Sequence, residues 1–163
     1  MLLEEGQFYM QHAFNNGRMP SAILIAGNLQ GDAARLATVV LQIAFCRDEK
    51  RPCGVCQHCQ RVKNQTAFDI FWVAPEKKSR QIGISQIRHN IILPVSQTSM
   101  EGGWKAGVVQ QADCMTNEAS NAFLKTLEEP PPLTFFILLT DSPEKLLPTI
   151  ISRCQRLDIT DSQ

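Results

Sequence analysis

The sequence predicts an α/β protein built on a five-stranded parallel sheet with helices on both faces. Three observations carry that expectation. Short apolar runs near residues 22, 70, 104, 133 and 155 alternate with stretches whose apolar residues recur at helical spacing, the order that folds into βαβ units. One run, Leu133–Thr140, is apolar without alternation, as a strand covered on both faces must be. The period also switches from strand-like to helical across Ile23-Leu24-Ile25-Ala26-Gly27-Asn28-Leu29-Gln30-Gly31-Asp32-Ala33, an apolar strand entering a glycine turn and then a helix.

At 163 residues, 44% hydrophobic and 20% charged, the chain is sized for one globular domain over 1–163. Sixteen basic and sixteen acidic residues cancel, so no overall field argues for an autonomous nucleic-acid binder. The N-terminus Met1-Leu2-Leu3-Glu4-Glu5 has no charged-then-apolar signal pattern, and no apolar run approaches the roughly 18 residues of a membrane span. A cytoplasmic protein is expected. The α/β pattern finishes at Leu157-Asp158-Ile159, and the chain is expected to be a fragment of a longer protein whose C-terminal domains are absent here.

Taken in order, Glu4 to Asn16 reads as a short helix with Gly17 at its C′ position. Ala22–Ala26 is a strand, and Leu36, Val39, Val40 and Ile43 give the following stretch a helical apolar face. The turn between them has the outline of a phosphate-binding loop stripped of its chemistry. Aligned on Gly31, the first glycine of G-x-x-x-x-G-K-[ST] falls at Ala26, the lysine at Asp32 and the hydroxyl at Ala33. A carboxylate there repels polyphosphate, by roughly 4 kcal/mol per charge pair at about 4 Å and an effective dielectric near 20. The loop is not expected to bind ATP. The plainer reading of the same residues is an ordinary strand, turn and helix with Asp32 as N-cap.

Cys46, Cys53, Cys56 and Cys59 form a C-x6-C-x2-C-x2-C array on a polar, turn-rich insertion at 46–59, far from Cys114 and Cys154. Such clustering favours metal over disulfides, and four thiolates complete a closed tetrahedral set for structural zinc. An iron–sulfur cluster uses the same ligands but usually a protected pocket, and a redox disulfide needs only two of them. His58, wedged between better-spaced thiols, is expected to be exposed.

Ile70–Ala74 is the second strand, leaving into a charged loop with Lys77, Lys78 and Arg80, which is either solvated or within reach of a nucleic-acid backbone. From Ser85, Ile87, Ile91 and Ile92 predict a helix stopped by Pro94. Trp104–Val109 is the third strand. At its end Gln110 and Gln111 stand where nucleotide hydrolases of this layout carry Asp-Glu, and amides supply neither a magnesium ligand nor a base. Thr116 is expected to cap a helix through Phe123 and Leu127 that ends before Pro130-Pro131-Pro132. The fourth strand follows, then a short helix from Pro143 through Leu146 and Leu147, and a last strand, Gln155–Ile159.

Three segments together carry a resemblance: Asn121-Ala122-Phe123-Leu124-Lys125-Thr126-Leu127-Glu128-Glu129-Pro130-Pro131, Thr140-Asp141-Ser142-Pro143-Glu144-Lys145-Leu146, and Ser152-Arg153-Cys154. With the four-cysteine insertion they resemble the bacterial clamp-loader AAA+ family from about Pro20 to Ile159. The degenerate loop (Gly27, Gly31, Asp32, Ala33) and the lost acidic pair (Gln110, Gln111) look like the family's ATPase-inactive members and less like its ATP-hydrolysing gamma/tau subunit. The resemblance implies a subunit that helps load the sliding clamp of the replicative DNA polymerase onto primed DNA, in a hetero-oligomeric ring with gamma/tau and delta subunits. It implies further that Arg153, flanked by Ser152 and Cys154, is an arginine finger acting in trans on a neighbour's ATP site. Thr140 matches the family's sensor position, with no nucleotide of its own to sense, and Glu128 and Glu129 are expected to serve packing or an interface. A gamma/tau-type motor and a stand-alone zinc module binding nucleic acid are the alternatives.

Overall fold

The computed structural model describes residues 1–162. Its sheet grows outward from Thr134–Thr140 (β4), whose seven residues are all buried, between Lys105–Val109 (β3) and Ala22–Ala26 (β1). Ile70–Val73 (β2) and Gln155–Asp158 (β5) are the edges, giving the order β2-β3-β4-β1-β5 with every pairing parallel. The register sets Ala22 opposite Phe136 and Ala26 opposite Thr140, so the turn after β1 emerges beside the end of β4. Loops at this edge of a parallel sheet are where ligand chemistry concentrates.

Alternation along the strands divides the core into two layers. Ile23, Ile25, Phe135 and Ile137 face Leu3–Asn15 (α1), Asp32–Phe45 (α2) and Gln57–Lys63 (α3). Leu24, Phe136 and Leu138 face the remaining helices, where Phe123 meets Phe136 edge-on at 5.2 Å between centroids. Each large apolar side chain removed from water is worth roughly 1.5–3 kcal/mol before entropy is counted. Fully buried Leu36, Val40 and Leu41 therefore hold α2, and with it the loop at its N-terminus, against the sheet.

The predicted helix at Ser85 proves longer than expected. It runs Ile84–Ile87 (α4), widens into a π-helical turn over Arg88–Ile92 and continues as Leu93–Ser96 (α5), so Pro94 does not stop it. The Leu93 amide bonds the Arg88 carbonyl, and this wide turn makes room for a proline ring that would otherwise crowd the preceding turn. Buried Ile87, Ile91 and Val95 keep one face on the core throughout. Lys105, 7% exposed, donates to the Val95 and Gln97 carbonyls at 2.6 Å each and so closes the C-terminal end of α5.

Asn117–Glu128 (α6) begins as expected, with the Thr116 hydroxyl accepting the Ala119 amide. The short helix expected from Pro143 through Leu147 is instead a single 3-10 turn, Pro143–Lys145, followed by Pro148–Ile151 (α7). Pro148 is the cause: it forces Leu147 into extended backbone, φ −63° and ψ 135°, and restarts the helix behind it. Within the cysteine insertion, α3 takes up what was expected to be turn-rich chain, beginning directly after Cys56.

Candidate functional site

Three groups of residues hold the chemistry singled out above, and the fold keeps them at separate places. The first is the cysteine array. Cys46 ends α2 and Cys56 is the N-cap of α3, so two helix termini and the turn between them bring the thiols together. All four sulfurs lie within 4.8 Å of one another, with Cys53–Cys59 at 4.0 Å and Cys56–Cys46 at 3.9 Å. A tetrahedron with metal–sulfur bonds of about 2.3 Å has edges of about 3.8 Å, so the four sulfurs stand nearly where a single ion needs them. Backbone amides already point at them: Cys56 N–H donates to Cys53, Cys59 N–H to Cys56 and Asp48 N–H to Cys46. The Cys59 amide is the main reason the Cys56 thiol is lowered to about 7, whereas burial pushes the Cys59 thiol well above the usual range.

His58 does not project freely into solvent as expected. It is half-buried, 3.5 Å from the Glu101 carboxylate, which also pairs with Arg61 at 3.1 Å. Asp69 holds the loop carrying Glu101 by accepting the Met100 and Glu101 amides at 2.7 and 3.1 Å. The cysteine module is thus tied to the start of β2 and β3. No local pattern in the sequence marks Glu101 for this role.

The second group is the loop after β1. Gly31, not Asp32, is the N-cap of α2, so the expected cap does not form. Asp32 is the first helical residue and only 2% exposed, its carboxylate paired with Arg35 at 2.6 Å and accepting the amide and hydroxyl of Ser162 at 3.0 and 3.2 Å. These partners, the Ser162 amide first, hold its pKa below the usual 3.8. The space in front of the helix is filled by the chain itself. Asp161 accepts the Asp32 amide through Oδ1 and the Asn28 side-chain amide through Oδ2, both at 2.9 Å. A carboxylate at a helix N-terminus is in the position an anion would take. A Cβ on Gly27 would lie 2.6 Å from the Ile159 backbone carbonyl, which requires glycine there, and one on Gly31 would lie 2.5 Å from the Asp161 carboxylate and push that side chain aside.

Gln110 and Gln111 lie beside this loop, in a cleft of about 340 Å³ shared with Gln30, Thr38, Gln65 and Trp72. Gln111 turns the strand end with φ 53°. No carboxylate or lysine lines the cleft, and among the described residues the cysteine array is the sole cluster with metal-ligand geometry. Thr140 is fully buried; its hydroxyl donates to Asp113 at 2.7 Å and accepts the Ser142 amide at 2.9 Å, both partners being its own chain's.

The third group follows α7. Ser152 and Arg153 are exposed, while burial raises the neighbouring Cys154 thiol to about 11. The Arg153 guanidinium donates to the Thr149 carbonyl at 3.0 Å and pairs with Glu128 at 2.9 Å.

Residues 5–163 match the family model described as "DNA polymerase III, delta subunit". Matches at 36% identity to DNA polymerase III subunit delta' of Escherichia coli K12 and 31% to that of Bacillus subtilis 168 specify which delta subunit is meant. The chain belongs to the DNA polymerase III delta-prime family. These alignments cover 88% and 91% of the chain, which spans only 43% and 44% of the two relatives. A tau subunit from Bacillus subtilis is 29% identical over 91% of this delta-prime family chain. Among solved structures, a gamma subunit-related protein of DNA polymerase III from Thermotoga maritima matches the whole chain and 47% of its own length, with a TM-score of 0.62 at 26% identity. The Bacillus subtilis DNA clamp loader delta protein shares the fold, with a TM-score of 0.60 over 93% of this chain and 42% of its own.

Proposed function

We propose that this chain is the AAA+ domain of an ATPase-inactive clamp-loader subunit that helps place the sliding clamp on primed DNA and lends Arg153 to a neighbouring subunit's ATP site. The observation that carries the reading is the filled loop: Asp161 takes the anion position before α2, and Asp32 replaces the lysine. With amides at Gln110 and Gln111, neither half of the phosphate machinery remains in cis. Arg153, in contrast, is on the surface, where a second chain can reach it. Gamma/tau and delta subunits are the proposed ring partners, with clamp and DNA engaged through the assembly in the cytoplasm. No helix among the described residues is long and apolar enough to cross a membrane.

The four thiols are proposed to hold one structural zinc. The set is closed, leaving no position for a reacting water, so the ion would fix the module and take no part in catalysis.

The test of the trans role is Arg153→Ala in the reconstituted full-length loader. A fixed guanidinium facing a transferring phosphoryl group contributes on the order of 10³–10⁵ in rate. ATP turnover of the assembly is expected to fall by the share of that one interface, while the variant's own thermal midpoint stays put. Unchanged turnover removes the arginine from the mechanism.

A further inference from the structure

α6 ends where it does because Pro130, Pro131 and Pro132 cannot continue it, and buried Phe123 and Leu127 hold its last turn on the core. Glu128 is therefore carried to the surface as the final helical residue. This is an unfavourable place for a carboxylate, since unpaired carbonyls give a helix C-terminus partial negative charge, and Glu129 adds a second acid beside it. The cation that offsets this charge comes from the far side of a β-strand in sequence. α7 packs beside α6 through buried Ile150, and its Arg153 reaches back to Glu128. One terminal nitrogen of the guanidinium is on Glu128 Oε1 at 2.9 Å and the other on the Thr149 carbonyl at 3.0 Å, so both are engaged inside the chain.

A guanidinium binds carboxylate and phosphate through the same planar fork. Resting on the proposal that Arg153 acts in trans, we infer that Glu128 is a competitor for it in cis: a carboxylate that occupies the finger and gives it up to a phosphate group of a nucleotide held by the neighbouring subunit. Exposure makes the exchange feasible. The side chains are 37% and 44% exposed, and ion pairs of that kind hold their partners only weakly, by up to about fivefold in an equilibrium constant. A buried pair would lock the arginine away, whereas this one parks it in a defined place and competes mildly for it.

Glu128→Gln tests the inference in the reconstituted full-length loader. The variant removes charge from a helix end that disfavours it, so an unchanged thermal midpoint serves as the folding control. If Glu128 competes with phosphate, removing it helps ground state and transition state alike, and KM for ATP falls about two- to fivefold with kcat unchanged. The same substitution in an Arg153→Ala background is expected to change neither constant. A fall in kcat resembling that of Arg153→Ala would mean that Glu128 orients the finger for chemistry, and overturns the competitor role; so does the absence of any change. If Arg153→Ala itself leaves turnover intact, the trans role fails first, and that result is distinct from a failure of Glu128 alone.

Discussion

Asp32 keeps its charge in a nearly buried place because three donors converge on it: the Ser162 amide, the Ser162 hydroxyl and Arg35. Together they depress its pKa below 3.8, so folding favours the ionised form. The contribution is then fully present above about 3.8 and is lost as pH falls through the lower value of the folded state. Asp32→Asn is expected to be less stable than the parent at pH 7 and to converge with it under acid, read as thermal midpoints from pH 7 down to 2.5. Two parallel curves would show that the charge is not what matters. Asp161, its neighbour across the loop, could not have been found from the sequence. The bond joins residues 129 positions apart, and an acid among Thr160, Asp161 and Ser162 carries no local signal.

Among the elements, the cysteine module owes its shape to the junction of α2 and α3, and its position to Glu101 and Asp69. Elemental analysis is expected to find about one zinc per chain, as four thiolates make a single closed site. Chelation should then raise amide exchange over residues 46–63 and lower the thermal midpoint, leaving the central strands protected. The ion must compete with protons for all four thiolates, so its affinity declines as pH falls. A metal-free protein with this segment fully protected would refute the assignment. The array was legible because its two C-x2-C steps and closed count of thiols leave few other uses for it. The helix through Pro94 was not, since a proline reads as a stop unless the π turn ahead of it is known.

Across the whole molecule, β4 and β1 were readable because strands buried on both faces need unbroken apolar runs, and parallel order followed from the helices between them. The residues on which the proposed loss of nucleotide chemistry rests are spread over the fold in the same way: Asp32 in the loop, Gln110 and Gln111 at a strand end, Asp161 beyond the last strand. Magnesium-ATP titrated into the protein is therefore expected to show no binding in the micromolar range. Asp161→Ala should not create it, because clearing the cradle restores neither the lysine nor the acidic pair. Micromolar affinity in the parent would overturn this account.

The anchoring of Asp161 and Ser162 on the loop has one more consequence. In a nucleotide-dependent domain, the path of the chain past its last strand is set by a diffusible molecule, and so reports whether that molecule is present. Here side chains of the chain itself set that path, and on the proposed reading it stays the same at any ratio of ATP to ADP. On the proposed reading, such a domain is deaf to the cell's energy supply and serves its ring neighbours as a fixed reference.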